Sequence, residues 1–432
     1  MAIHASPDAY GIDGDRLRAL QDERLIETIT YAYENVPLYR ERLDDAGITP
    51  NDVSGVQDLP ELPFTTKDDF RKEYPDGLVA VKDEALERVH SSSGTTGKPK
   101  IVAYTGDDLD VWSEVMGRTL RLAGLDADDR LQNAFGYGLF TGGLGLHQGA
   151  ERLGTDIIPI GAGNSRRQVE FLRDLEADAI AATPSYALRL LDVANEMGVD
   201  LRELPVSTVI YGAEPCTEPM RAAIEEGFAA TAVDIYGLSE LIGPGVAAEC
   251  REAQDGLHVF EDHFYPEVVD PDTGEPVEAG EKGELVLTSL SKEGLPVLRY
   301  RTGDLTKLLP GVCDCRRPYT RIDNIQGRTD DMLTIRGVNF YPTELEAVAL
   351  EMDEVAPHYR IDVEREEALD RLTITVELES GFDGDQAAVR ETLLERLRST
   401  LSFEPDAIDL VKYGTLNRSE GGKAQRVYDH RT

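Results

Sequence analysis

Lysine is scarce in this chain: of 44 basic residues only 10 are lysine, and three of those, Lys98, Lys100 and Lys423, sit inside short motifs. Cysteine is scarcer still, with four residues in 432, too few and too scattered for a disulfide framework. No segment approaches ~18 consecutive apolar residues, so no membrane span is expected. The first residues, MAIHASPDAYGIDGD, lack a basic start followed by an apolar run, so no secretory signal is expected either. These absences point to a cytoplasmic protein. The G-x-x-x-x-G-K-[ST] order of a Walker loop is also missing.

Acidic charge is abundant instead. There are 82 acidic against 44 basic residues, a net charge of −38. The carboxylates are dispersed, as in Asp107-Asp108, Asp126-Ala-Asp128-Asp129 and Glu364-Arg-Glu366-Glu367, with no long acidic tail. A nucleic-acid partner is disfavoured by the sign of the charge. A dispersed, lysine-poor acidic surface suits a cytoplasm with molar salt, where the Debye length falls to ~3 Å and self-repulsion is screened. Halophilic adaptation is therefore expected ahead of any acidic docking surface.

Length suggests two or three domains, and 41% hydrophobic residues are enough for a large core. Residues 15 to about 88 read as mainly helical, with Leu17, Leu20, Leu25, Ile26, Ile29 and Tyr33 at roughly helical spacing. Turn signals at Asn35-Val-Pro37 and Ile48-Thr-Pro50 interrupt them. From about 89 to 325, β-rich runs alternate with helical ones. Ile157–Ile160, Ala179–Ala182, Thr208–Tyr211 and Ala232–Tyr236 read as strands; 166–175 and 185–197 read as helices. That rhythm predicts an α/β architecture with largely parallel strands. Gly283–Ser289 alternates like a strand of a further β region. From about 331 the chain resets: helix-like 343–352, strand-like 372–378 and helix-like 386–401 predict a small α+β domain.

Five motifs carry chemistry. Ser91-Ser92-Ser93-Gly94-Thr95-Thr96-Gly97-Lys98-Pro99-Lys100 holds five hydroxyls, two glycines and two lysines. Such a loop can wrap phosphate: glycines turn backbone N–H groups inward, hydroxyls donate, and lysines supply charge. Ile235-Tyr236-Gly237-Leu238-Ser239-Glu240 ends an apolar strand run. There an aromatic ring can pack on a purine, and Glu240 can hold Mg²⁺ beside a triphosphate. A strand–turn–helix junction capped by Ser239 accounts for the same residues. In Tyr300-Arg301-Thr302-Gly303-Asp304 the aspartate can accept both ribose hydroxyls. Gly327-Arg328-Thr329-Asp330-Asp331-Met332, followed by Ile335-Arg336-Gly337-Val338-Asn339, lies at the reset, where a hinge belongs. Arg418-Ser-Glu-Gly-Gly422-Lys423-Ala-Gln-Arg426-Val427 places a lysine behind glycines, where it can swing into a phosphate site. Each motif alone is equally a plain turn, junction or tail.

Their order and spacing together resemble the adenylate-forming superfamily of acyl-CoA ligases, nearly end to end. Within it the chain is most similar to phenylacetate–CoA ligases, on Tyr31–Tyr39 (YAYENVPLY), Leu62–Lys67 (LPFTTK), the loop at 90–100, Phe135–Gly143 (FGYGLFTGG), Tyr211–Pro215 (YGAEP) and His263–Pro266 (HFYP). The resemblance implies a large N-terminal ATP- and acid-binding domain over 1–329 and a small mobile C-terminal domain over 330–432. It implies a two-step reaction: ATP and a carboxylate give an acyl-adenylate and pyrophosphate, then the thiol of CoA gives a thioester and AMP. It assigns Ser92, Ser93, Gly94, Thr95, Thr96, Gly97 and Lys98 to the pyrophosphate loop and Glu240 to Mg²⁺. Gly212, Ala213, Glu214 and Tyr236 match positions around adenine, and Asp304 and Arg328 match the ribose contacts. Lys423 matches the lysine of the adenylation step, Asp330 the hinge, and Gly337 the position beside the CoA path. A homodimer is implied too. Two departures stand out: Lys100 where many phenylacetate ligases carry threonine, and Cys216 where an aromatic is frequent.

Tyr137 and Phe140 offer flat apolar surface for an aromatic acid. His147 is the one basic candidate nearby. Cys250, His258, Cys313 and Cys315 make a second constellation. Three thiolates and an imidazole suit tetrahedral Zn²⁺, and a closed set of four suggests a structural site. Buried free thiols beside a histidine are the plain alternative. Two rival functions keep the nucleotide motifs: an adenylating enzyme that does not use CoA, such as a deazaflavin-coenzyme adenylyltransferase or a carrier-protein loader, and a noncatalytic nucleotide-binding regulator. Retention of Glu240, Asp304, Arg328 and Lys423 together argues against the second.

Overall fold

The computed structural model describes residues 14–91, 99–329, 331, 333–335, 338–366, 369–401, 404–418 and 425–431. Among them a nine-stranded mixed sheet organises the large part of the chain. Its parallel half runs Asp156–Ile158, Arg130–Asn133, Ala179–Ala182, Thr208–Gly212 and Thr231–Leu238 in spatial order. The helices Thr141–Leu153, Ser165–Asp174, Pro184–Met197 and Glu218–Phe228 alternate with these strands along the chain. Such strands are covered on both faces, so they read as continuous apolar runs. Ala179–Ala182 is buried at every position, and Thr208–Gly212 likewise. The alternation expected from the sequence is thus observed, with boundaries shifted by a residue or two.

The sheet changes direction at Thr231–Leu238. This strand is parallel to Thr208–Gly212 on one side and antiparallel to Gly243–Glu249 on the other. Leu257–Val259, Arg321–Ile322 and Leu308–Leu309 continue the antiparallel half. A second, four-stranded antiparallel sheet joins Phe264–Val269, Gly283–Ser289, Tyr300–Thr306 and Gly327–Arg328.

The N-terminal region is less helical than its periodicity suggests. Helices Gly14–Asn35 and Pro37–Asp45 form as expected, the second opened by Pro37, whose missing N–H is no loss at a helix start. Beyond Ala46 the only further α-helix before residue 88, among those described, is Lys67–Lys72; the rest is short 3₁₀ turns and loops. Pro50, Pro60 and Pro63 break the run.

The helix Gly106–Leu122 is pinned at its start by a long-range contact. Asp108 is fully buried and accepts the backbone N–H groups of Glu293 and Gly294 at 2.7 and 2.8 Å.

From Leu333 onward a separate core forms. Leu333, Ile335, Leu345, Ile361, Leu372, Ile374, Val376, Leu393 and Ile408 belong to it. A four-stranded sheet of Ala407–Val411, Leu369–Leu378, Val355–Glu366 and Val427–Asp429, with helices Pro342–Leu350 and Gln386–Leu401, surrounds it. Val355–Glu366 is a strand the sequence reading missed; Arg360, Asp362 and Glu364 alternate with the buried Ile361 and Val363, and Arg365 breaks that alternation near the strand's end.

Candidate functional site

The candidate site lies at the carboxyl ends of Thr208–Gly212 and Thr231–Leu238, where ligands gather in open α/β sheets. The backbones are close there. A Cβ on Gly212 would lie 2.4 Å from the carbonyl oxygen of Ile235, so only glycine fits. Ala213 follows with φ of +72°, a left-handed turn that carries the chain away from the sheet. Glu214 is next, and its carboxylate accepts from the Ser185 hydroxyl at 2.6 Å.

Tyr236 reaches from the neighbouring strand toward the second sheet. Its hydroxyl donates to Asp304 Oδ2 at 2.5 Å. Asp304 faces Arg328 in register across adjacent strands, and their side chains form an ion pair. Arg328 also donates to the carbonyl of Thr302 at 3.1 Å. Burial, then the Asp304 charge, pushes the Tyr236 hydroxyl well above its ordinary range, so it stays a donor. Three residues picked from separate motifs, 236, 304 and 328, are therefore one hydrogen-bonded group.

Glu240 sits just beyond. Its carboxylate pairs with Lys100 and accepts from the Tyr300 hydroxyl at 2.8 Å. Burial alone would raise its pKa, but the Lys100 charge and the hydrogen bonds from Lys100 and Tyr300 outweigh that and leave it below the usual carboxylate range. Glu240 is thus an anion held within a buried wall. The sequence reading missed Tyr300, although it heads the quoted Tyr300–Asp304 motif; nothing in one sequence shows that it meets Glu240.

The hydroxyl-rich loop, residues 92–98, lies outside the described residues, as do Asp330, Gly337 and Lys423. The loop's roots are described. Arg88–Ser91 pairs antiparallel with Ile101–Tyr104, bringing Ser91 opposite Ile101. Ser91 N–H also bonds the carbonyl of Leu139 at 3.0 Å.

The same Leu139 belongs to the stretch expected to face an acid. Tyr137 is half-buried; its hydroxyl accepts from Asn133 Nδ2 at 2.9 Å and lies 3.2 Å from His147 Nδ1. His147 Nε2 is 3.3 Å from Glu151. Burial pushes Tyr137 up to about 12. Phe140 precedes the helix Thr141–Leu153. Asn133 was not foreseen; it ends the strand Arg130–Asn133 and also donates to the carbonyl of Gly143 at 2.8 Å. Cys216 is half-buried near Tyr211, and burial raises its thiol pKa.

Lys292 was also missed. It is 4% exposed, its Nζ lies 4.4 Å over the Tyr104 ring, and it has no hydrogen-bond partner among the described residues. Burial lowers its pKa to about 8.

Away from these residues, Cys250, His258, Cys313 and Cys315 converge, with donor atoms all within 4.8 Å of one another. The Sγ atoms of Cys250 and Cys313 are 3.7 Å apart, and Cys315 Sγ is 3.4 Å from His258 Nε2. The antiparallel register Ala248–His258 brings the first two residues near each other. Three sulfurs and a ring nitrogen at this spacing fit a four-coordinate Zn²⁺.

The AMP-binding enzyme model matches residues 29–291, and the AMP-binding enzyme C-terminal domain model matches residues 337–431. A phenylacetate–coenzyme A ligase of Thermus thermophilus is 48% identical over 441 residues, covering 98% of this chain and 99% of that protein. The Escherichia coli K12 phenylacetate–coenzyme A ligase is 47% identical, covering 96% and 95%. Among solved structures, 2-hydroxyisobutyryl-CoA ligase in the postadenylation state is similar with a TM-score of 0.91 at 29% identity, over 100% of this chain and 95% of that one. The same enzyme in the thioesterification state, with CoA, gives 0.73 over the same coverage.

Proposed function

The chain belongs to the AMP-binding enzymes and is an ATP-dependent, AMP-forming acid–CoA ligase that works through an acyl-adenylate; from that premise we propose that its acid is phenylacetate or a close aryl relative. The observation that carries this is identity near one half, over almost the whole chain, with enzymes of that specificity. Tyr137 and Phe140 supply aromatic surface of the right kind. Cys216, where an aromatic is frequent in such ligases, is the smaller side chain, which is why the proposal extends to close aryl relatives.

The roles proposed for the residues follow from the chemistry. A carboxylate is a poor electrophile, and joining it to AMP supplies a leaving group. Attack at the α-phosphorus builds charge on phosphate oxygens, so catalysis is positioning and electrostatic stabilisation. Ser92, Ser93, Gly94, Thr95, Thr96, Gly97 and Lys98 cradle pyrophosphate. Gly212, Ala213, Glu214 and Tyr236 frame adenine, and Asp304 with Arg328 holds the ribose. Lys423 meets the carboxylate and α-phosphate. Mg²⁺ commonly takes one or two carboxylates and otherwise phosphates and waters. Glu240, held ionised, fits that pattern; the ion would neutralise phosphate charge.

We take 1–329 and 330–432 as two domains. The separate core from Leu333 onward supports this. Asp330 is the hinge, and Gly337 leaves room for the pantetheine arm after rotation. The arrangement described here is nearer to the relative's postadenylation state than to its thioesterification state. The four Cys/His donors hold a structural Zn²⁺. His258, pushed down to about 4 mainly by burial, is neutral and ready to donate a lone pair. No helix among the described residues is long and apolar enough to cross a membrane. A cytoplasmic homodimer adapted to high salt completes the proposal.

An acid panel assayed for AMP formation with and without CoA tests the reading. Phenylacetate and ring-substituted phenylacetates should give CoA-dependent AMP release. AMP release only with short aliphatic acids would overturn the aryl assignment.

A further inference from the structure

Asp192 lies on the helix Pro184–Met197 of the large part and is the meeting point of three side chains from the C-terminal part. The Tyr413 hydroxyl donates to its Oδ1, Arg418 Nε donates to its Oδ2 at 3.4 Å, and His358 Nε2 stands 4.0 Å away. Arg189, on the same helix, is 4.0 Å from it. The carboxylate is 10% exposed.

The group that meets Asp192 is itself preassembled. Glu377, completely buried, takes two hydrogen bonds from Arg418, from Nη2 at 2.7 Å and from Nη1 at 3.0 Å. It also accepts the backbone N–H groups of Gly414 and Leu416. Arg418 lies over the Tyr413 ring at 5.3 Å. So Glu377 fixes the turn and the guanidinium from inside the C-terminal core, and Asp192 receives both from outside. A second seam runs beside it. Arg426 pairs with buried Glu346 and reaches Met220 Sδ at 3.7 Å, on the helix Glu218–Phe228. Leu350 packs on both the large core and the C-terminal core.

Arg418 and Arg426 bracket Lys423 in the sequence. A buried carboxylate shared by two donors is strong where it is made and leaves unpaired charge where it is broken. We propose that Asp192 is a positioning residue for adenylation: it receives Arg418 and Tyr413 and holds the C-terminal part in the arrangement described here, and it must release them before thioester formation. This rests on the ligase reading and on two arrangements serving the two half-reactions. Asp192 touches no substrate. It shifts the balance between arrangements by binding one of them.

The test separates the half-reactions. Acid-dependent pyrophosphate release reports adenylation; thioester formation from supplied acyl-adenylate and CoA reports the second step. Asp192→Ala should slow the first by at least about tenfold, the scale for losing one partner of a buried charged hydrogen bond. It should leave the second within about threefold of the parent or make it faster. Tyr413→Phe removes one hydroxyl without disturbing the fold and should act in the same direction, less strongly. X-ray scattering of unliganded Asp192→Ala should show a larger radius of gyration than the parent. Equal loss of both half-reactions tracking melting temperature, or no change in either, overturns the proposal. If Lys423→Ala spares adenylation, the ligase reading of that lysine fails, while an Asp192→Ala split would still stand by itself.

Discussion

Lys100 and Glu240, 140 residues apart in the chain, form an ion pair that Tyr300 completes by donating its hydroxyl to the same carboxylate oxygen at 2.8 Å. A cation already pairs with the carboxylate proposed for Mg²⁺. Lys100→Thr should therefore lower the Mg²⁺ concentration for half-maximal pyrophosphate release by roughly tenfold, matching ~1.5 kcal/mol for one hydrogen bond to a charged group. Glu240→Gln should abolish the effect. Unchanged Mg²⁺ dependence in Lys100→Thr would show that Glu240 does not hold the ion.

Metal analysis of protein purified without chelator should find about one zinc per chain, on four donors. Cys313→Ser or Cys315→Ser should lose it and lower the melting temperature, because a structural site contributes folding free energy directly. Nucleotide binding should survive. A metal-free parent protein would sink the assignment.

Stability and activity should rise as KCl increases into the molar range, since a net charge of −38 repels itself at low salt. Thermal melts and turnover across a KCl series measure this. A maximum in dilute buffer would assign the acidic surface another purpose.

Lys292 gives a pH signature. Burial lowers its pKa from 10.5 to about 8, against the attraction of Asp108 and Glu240. Between those values the unfolded chain binds the extra proton, so this group's contribution to stability increases with pH through that window. Below about 8 the penalty of the buried ammonium is fully present. Lys292→Met should thus raise the melting temperature most at pH 7, with the gain shrinking as pH passes from 8 to 10.5. A loss of stability independent of pH would mean that contact with the Tyr104 ring outweighs desolvation.

Much of the site was legible because its motifs are local. Gly212, Tyr236, Asp304 and Arg328 each sit in a short run of telling residue types, although what forces glycine at 212 is the Ile235 carbonyl on the neighbouring strand. What could not be read is which distant residues meet. Nothing near Asp192 marks it as the receptor of Arg418, and nothing near Lys292 marks it as buried; both depend on tertiary packing. The parallel strands were legible for the same local reason: Ala179–Ala182 is apolar throughout because both its faces are covered. The outward charges of Val355–Glu366 hid that strand, and prolines after Ala46 ended helices that periodicity alone would have continued.

Asp108 closes on Glu293 and Gly294 across 185 residues, and this sets a timetable for the newborn chain. At a synthesis rate of about 5–20 residues per second, roughly ten to forty seconds separate the appearance of the carboxylate from that of its two amide partners. Over that interval the helix Gly106–Leu122, with Trp112, Val115 and Met116 on its inner face, has to wait on the ribosome without its anchor. Chaperone contacts on this protein should concentrate on that helix and lapse once the strand Gly283–Ser289 and the turn after it have emerged.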